Sequence, residues 1–250
     1  MPIFSRAVIA AAVLIVAGSS AAAAEIKVIA SLAAKEALLE LSPAFERATG
    51  HKVTFTWAGS GAAEKRVLEG EAFDLIMIGP ANVDRLVAAG KVAAGSKTPF
   101  VKSGVGIALK PGLAKPDVST SDALKKAALN AKSVAYSQGP SGIYLAELFQ
   151  KLGIADQIKG KLTQTASGVQ VADVVARGEV DLGFQQVSEM LHHKGIQYLG
   201  PLPAEIQHYT VFSFGLHVNS AAQDEAKAFV NFVRSEAAAQ IVRKTGLEPG

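Results

Sequence analysis

The 250-residue sequence contains no cysteine. That absence removes disulfides, thiol nucleophiles and cysteine-ligated metal sites, and with them the residue on which a lipoprotein anchor is built. Past the first two dozen residues, no segment approaches the roughly 20 uninterrupted apolar residues that a spanning helix needs. The chain beyond its leader is therefore expected to be soluble. Lysine and arginine form no run or stripe and the formal charge is only +3, so a nucleic-acid partner is not expected. There is also no internal repeat, heptad pattern or low-complexity tract after the leader, which argues against repeat architectures and coiled coils.

What is present begins with a processing signal. Arg6 supplies a positive start, Ala7 to Ala17 an apolar stretch, and Ala22-Ala23-Ala24 a small-residue cleavage site. Residues 1–24 therefore read as a signal peptide, with a mature chain starting near Glu25 and exported to the periplasm. Residues 25–250 are long enough for one large α/β domain or two lobes of roughly 100 residues each.

Periodicity gives alternating strands and helices. Ile26 to Ala30, Lys52 to Trp57 and Asp74 to Ile78 read as strands. Helices are expected over Leu32 to Thr49, Ala62 to Glu69 and Val83 to Ala89, each closed by a glycine: Gly50, Gly70 and Gly90. An extended segment at Gly104 to Lys110 then opens a second series. It comprises helices at Ser121 to Ala131, Ser141 to Leu152 and Val169 to Arg177, with strands at Ser133 to Tyr136 and Asp181 to Gln185. Tyr209 to Val218 is extended again, and Asp224 to Thr245 reads as one helix. Two extended crossings that bracket a complete βα series predict a chain that leaves one lobe, builds another and returns.

Three short apolar runs end in a serine that opens a helical pattern: Val28-Ile29-Ala30-Ser31, Phe55 to Ser60-Gly61, and Val134 to Ser141-Gly142. A helix start presents unpaired N–H groups and the positive end of the helix dipole, and so receives anions. In open α/β sheets these starts lie beyond the strand carboxyl ends, where they would line a cleft between the lobes. Taken singly, each such serine can be an ordinary N-cap worth about 1 kcal/mol.

Ile29-Ala30-Ser31-Leu32, Pro43 to Gly50, Ala58-Gly59-Ser60-Gly61 and Phe73-Asp74-Leu75 occur in that order. Gly139-Pro140-Ser141-Gly142-Ile143-Tyr144, Val171 to Gly178 and Asp181-Leu182-Gly183-Phe184 follow them. The series resembles the periplasmic molybdate-binding proteins of ABC importers over nearly all of the mature chain. The resemblance implies a type II periplasmic-binding fold: α/β, with two lobes joined by two extended crossings around a central ligand cleft. Lobe one would hold 25–102 and 215–250, and lobe two 103–214. Ser31 and Ser60 would donate to a bound anion, with backbone groups near Gly79, Ser141 and Val169 completing the shell. A membrane permease and its ATPase would be the partners of a monomeric receptor, with no cofactor and no metal.

One position departs from that pattern. Where molybdate binders usually carry a tyrosine after the Gly-Phe pair, this chain has Gly183-Phe184-Gln185-Gln186. An amide donates at a different reach and adds an acceptor that a deprotonated tetrahedral oxyanion does not need. Val175 to Gln186, Val134 to Ser137 and Ser141 to Leu145 are also similar to aconitate isomerase, a secreted enzyme on the same scaffold. Two classes of function thus stand: a receptor for a small oxyanion, and an isomerase of, or receptor for, a small di- or tricarboxylate. Lys102, at the first crossing, reads either as a ligand salt bridge or as a solvated edge lysine. Glu36 and Glu64, one turn after Ser31 and Ser60, read as exposed carboxylates or as acid/base groups for the enzyme. His192 and His193 point apart and read as surface residues rather than metal ligands, and Tyr144 reads as packing.

Overall fold

The computed structural model describes residues 23–166 and 168–250; the expected signal peptide lies outside them but for its last two residues. The chain opens with β1 (Glu25–Ser31), a 3-10 turn at Leu32–Ala34, and α1 (Lys35–Thr49). Gly50 closes α1 at φ 77°, the left-handed conformation that glycine reaches without strain. β2 (Lys52–Ala58), α2 (Ser60–Leu68), β3 (Leu75–Ile78) and α3 (Pro80–Ala88) continue the alternation. β4 (Thr98–Leu109) is twelve residues long. After it come α4 (Ser121–Asn130), β5 (Val134–Tyr136), α5 (Pro140–Lys151), α6 (Ala155–Ile158) and β6 (Leu162–Gln164). Then follow α7 (Val171–Ala176), β7 (Leu182–Gln186), α8 (Val187–Met190) and β8 (Gln197–Pro201). β9 (Tyr209–Leu216), α9 (Gln223–Val233), α10 (Glu236–Lys244) and β10 (Glu248–Pro249) complete the chain.

The main strand order is β2-β1-β3-β9-β4-β7-β5-β6. β1 runs parallel to β2 and β3, and β5 parallel to β6 and β7. β4 and β9 run antiparallel to their neighbours and join the two parallel sets. β4 changes partner midway: Thr98 to Gly104 pair with β9, whereas Val105 to Leu109 pair with β7. β8 lies on the other side of that second half of β4. Along its length β9 pairs with β3 at Ser213 to Leu216 and with β4 at Tyr209 to Phe214.

Side-chain alternation puts apolar groups on both faces of each parallel set. In the first set, Ile26, Val28 and Met77 pack with α1, α9 and α10 through Leu38, Phe45, Phe229 and Val242. Ile29, Ile76 and Ile78 face the other way, toward Val67 of α2 and Val83 and Leu86 of α3. In the second set, Val105, Ile107 and Phe184 meet Leu124, Leu148 and Phe149 of α4 and α5. Ala108 and Ala135 meet Val171 and Val175 of α7 on the opposite face. Each set is therefore a helix-sheet-helix sandwich with its own core.

Three expectations change. The C-terminal segment forms two helices, because Ser235 takes extended geometry and its Oγ accepts from Ala238 N at 3.3 Å, capping α10. β4 starts at Thr98 rather than Gly104; Pro99 hides the pattern, and the register with β9 shifts between Pro99 and Val101. The short elements α6, β6, α8, β8 and β10 have no counterpart in the periodicity, since five residues or fewer cannot display a period.

The aromatic cluster of the first core binds four elements together. Phe229 meets Phe45 edge-on at 5.1 Å and lies 6.3 Å from Phe55 and 6.4 Å from Phe214. Phe229→Ala is expected to cost about 3–5 kcal/mol. In thermal unfolding, that lowers the midpoint by roughly 6–20 °C at this chain size.

Candidate functional site

The carboxyl ends of β1, β2, β5 and β7 open on one cavity of about 460 Å³. From the first strand set it is lined by Ser31, Leu32, Gly59, Ser60, Gly61, Ala62, Lys65 and Phe212. The second set contributes Ser137 to Ser141, Ala166, Gly168, Val169, Gln185, Gln186 and Glu189. Six of the residues expected from sequence, Ser31, Ser60, Gly61, Ser141, Val169 and Gln186, thus share one hollow.

Their individual settings differ from a row of simple helix caps. Ser31 is an N-cap, accepting from Ala33 N at 3.3 Å. Ser60 is not: it is the first residue of α2, is buried, and accepts through Oγ from Gly79 N at 3.0 Å. Its hydroxyl hydrogen remains available as a donor. The first backbone bond of α2 is Ala63 N to Gly59 O at 2.9 Å, so the Gly61 and Ala62 amides precede the helical ladder and are open to an outside acceptor. Ser141 Oγ lies 3.3 Å from Ser137 Oγ, and Ser137 Oγ also accepts from Gly139 N at 3.3 Å. Gly142 stands behind this turn rather than in the lining; a Cβ there would come within 1.6 Å of the Ser137 carbonyl oxygen. Only glycine lets the loop fold back on α5 so tightly.

Gly79 is likewise a supporting residue. Its N–H is taken by Ser60, and a Cβ there would lie 3.0 Å from Pro140 Cγ of the other strand set. The Val169 N–H is held by the Ala166 carbonyl at 3.0 Å. Gln186 is buried, and the amide orientation that satisfies its neighbours turns the nitrogen to Ser103 O at 3.0 Å and Gly104 O at 3.3 Å, with its oxygen accepting from Thr210 Oγ1 at 3.1 Å. Its amide hydrogens therefore tie β7 to the crossing strands. Lys102 stands outside the lining, 3.0 Å from Glu248 and 5.5 Å above the Tyr209 ring.

Five polar lining groups escaped the sequence reading of the site: Ser137, Gln138, Lys65, Gln185 and Glu189. Lys65 lies one turn into α2 and is exposed, 3.7 Å from Glu69. Gln185 Oε1 accepts from Val171 N at 2.8 Å and Ala172 N at 3.4 Å, which fixes its amide so that Nε2 donates to Glu189 Oε1 at 2.8 Å. Glu189 is half-buried. Burial pushes its carboxyl up to about 8, against the pull of hydrogen bonds from the Gln185 side chain and the Gln186 backbone. At neutral pH it is mostly an uncharged acid. The signal was Gln186-x-x-Glu189 at a strand-to-helix junction, a polar residue at the N-cap with the carboxyl at the third position of α8.

The other candidate groups find partners away from the cleft. Glu64 accepts from Arg85 at 2.6 and 2.7 Å and from Asn82 at 2.5 Å, and the Arg85 hydrogen bonds hold its carboxyl below the usual range. Glu36 is absent from the lining. His192 Nε2 lies 2.9 Å from the Lys244 carbonyl oxygen and His193 Nε2 lies 2.9 Å from Asp173. Tyr144 stacks on His208 and donates to the Ile206 carbonyl at 2.7 Å. Among the described residues, no three histidine or carboxylate side chains are grouped to hold a metal.

Comparison with known proteins bears on this arrangement. The chain is 35% identical over 216 residues to an aconitate isomerase of a Pseudomonas species, covering 84% of this chain and 82% of that one. It is 26% identical to the molybdate-binding protein ModA of Azotobacter vinelandii, over 91% of each chain. The solved periplasmic molybdate-binding protein of the same organism superposes with a TM-score of 0.76 at 19% identity, covering 89% of this chain and 98% of that one. The fold is that of the type II periplasmic binding proteins. The family model for bacterial extracellular solute-binding proteins matches residues 26–248, and the chain belongs to that family.

Proposed function

We propose that this protein is a periplasmic receptor that captures a small anion between two lobes and presents it to an ABC permease with its ATPase. The lobes are 25–102 with 215–250, and 103–214 between, with β4 and β9 as the hinge strands. The signal peptide of residues 1–24 directs export, and the receptor acts as a monomer. One observation carries the reading: hydroxyls of Ser31 and Ser60 from one strand set face those of Ser137 and Ser141 from the other across a single cavity, beside the open amides of Gly61 and Ala62. Neutral donors on preset backbone bind an anion without a cofactor, and an anion of the wrong size leaves buried donors unpaired.

A second reading is favoured by Lys65 and the mostly uncharged Glu189 in the same lining, and by the 35% identity to an aconitate isomerase. In it the guest is a small di- or tricarboxylate, and the protein either carries it or shifts its double bond. A cation and an acid/base group suit that chemistry better than they suit a tetrahedral oxyanion.

Thermal unfolding of the purified protein with molybdate, tungstate, sulfate, citrate, cis-aconitate and trans-aconitate separates these readings. A guest at 100 times its dissociation constant stabilises by about 2.7 kcal/mol, which raises the midpoint by roughly 5–10 °C. Stabilisation by none of the six overturns the receptor reading. A change in the ultraviolet absorbance of cis-aconitate over time establishes turnover; a flat trace with retained binding leaves the carrier. Ser60→Ala, which removes one donor to the anion, should weaken the best binder about 10- to 100-fold, read by titration calorimetry. It should also lower stability by about 1–3 kcal/mol, because the Gly79 N–H loses its acceptor.

A further inference from the structure

Among the described residues, Glu189 is the one carboxyl in the cleft lining. It forms no ion pair there, and its Oε2 receives no side-chain hydrogen bond. Gln185 holds Oε1 rigidly, because the Gln185 amide is itself fixed by the Val171 and Ala172 N–H groups. Gln185 thus positions one oxygen, the Gln186 backbone N–H also reaches the carboxyl, and the group itself lies in the cavity lining.

None of the turn Leu32–Ala34, β4, β7 and β8, which pack on α8, gives Glu189 an ion-pair partner. Neither do Arg243 and Lys244 of α10, whose following Gly246 lies against Val187 and Ser188. The turn Leu32–Ala34 and β7 carry no titratable side chain. β4 carries Lys102, which pairs with Glu248. β8 carries Tyr198, whose phenol burial pushes up to about 12. In the turn after α8, His192 is engaged by the Lys244 carbonyl and His193 by Asp173. The remaining charged lining group is Lys65 of α2, which pairs with Glu69 at its exposed end.

We propose that Glu189 is a specificity-determining acid of the cleft, giving its carboxyl O–H to an oxygen of the bound anion so that capture requires the proton to stay. The proposal rests on the reading of the cleft as an anion site. Its physics is electrostatic: an anion beside a neutral acid gains a donor, while beside a carboxylate it meets a like charge in a poorly solvated space. Linkage makes the effect reciprocal, so the anion raises the proton affinity of Glu189 as much as the proton raises the affinity for the anion. Since burial already lifts this carboxyl to about 8, the coupling falls just above neutral pH. Below that range, the acid is in place and affinity is flat. Above it, the guest binds only as a proton returns.

Calorimetric titration with trans-aconitate, and in parallel with molybdate, from pH 6.5 to 9.5 tests this. Both probes are fully ionised through most of that window, so protons taken up on binding belong to the protein. The expected result is a wild-type affinity that is constant to about pH 7.5 and then falls by up to about tenfold per pH unit, with uptake approaching one proton per anion. Glu189→Gln keeps a donor of similar reach, and its affinity should stay level across the range with no proton uptake. A level wild-type profile, or an equal fall in the glutamine variant, overturns the proposal. In the ligand-free protein, the carboxyl carbon-13 resonance missing from Glu189→Gln should titrate far above those of the other glutamates. If it titrates near 4.5, the proposal also fails. Absence of binding by either probe would instead refute the anion reading, and the resonance still decides the state of Glu189.

Discussion

Everything in this molecule that concerns a ligand follows from one strand changing partners. β4 pairs with β9 as far as Gly104 and with β7 from Val105 onward, so a single continuous backbone belongs to both parallel sets. The strands of the two sets therefore direct their carboxyl ends, and the helices that start there, toward a shared space. The switch is reinforced by polar groups as well as by the apolar packing of Val101 and Val105. Gln186 joins Ser103, Gly104 and Thr210, while the Gln207 amide closes on the Val105 backbone at 2.8 and 3.0 Å. Ser103 and Ser188 Oγ atoms lie 3.4 Å apart in the same region. Such bonds are directional, so they define the angle at which the two sets meet more sharply than interchangeable methyl contacts do.

The polar groups that line the resulting cleft are mainly uncharged dipoles. Serine hydroxyls and helix-start amides cost little to desolvate compared with a buried charge, and they need no counter-ion when the site is empty. The charged lysine sits at an exposed edge, and burial raises the carboxyl of the half-buried acid toward the uncharged form. On the proposed reading of the cleft as an anion site, buried firm donors would set size and shape, while the two titratable groups would respond to the charge of what is bound.

Much of this was legible in the residues themselves. The alternation of apolar runs with glycine-closed helices gave the order of elements, because Gly50, Gly70 and Gly90 stop helices where few other residues can. The serines stood out because each ends a strand pattern and begins a helical one. Legibility failed where a side chain's task depends on something distant in sequence. Nothing near Ser60 announces that its hydroxyl serves Gly79, nineteen positions on. Nothing near Gln186 announces that Ser103 and Thr210 claim its amide, which converts an expected ligand donor into part of the crossing. Lys102 looked available until the chain's last strand brought Glu248 beside it. Glu189 was overlooked for the opposite reason: a glutamate four residues after a glutamine looks like any solvated helix face until burial is known.

Gly79 and Pro140 belong to opposite strand sets, and a methyl group on the former would press on the ring of the latter. The absence of a side chain there lets the two strand sets approach this closely. A bulkier residue would act as a shim, holding the mouth ajar by a few tenths of an ångström and admitting water to donors that would otherwise meet only their guest. In the proposed receptor, one hydrogen atom at that point would govern the dryness of the chamber, and through it the strictness with which ions are told apart.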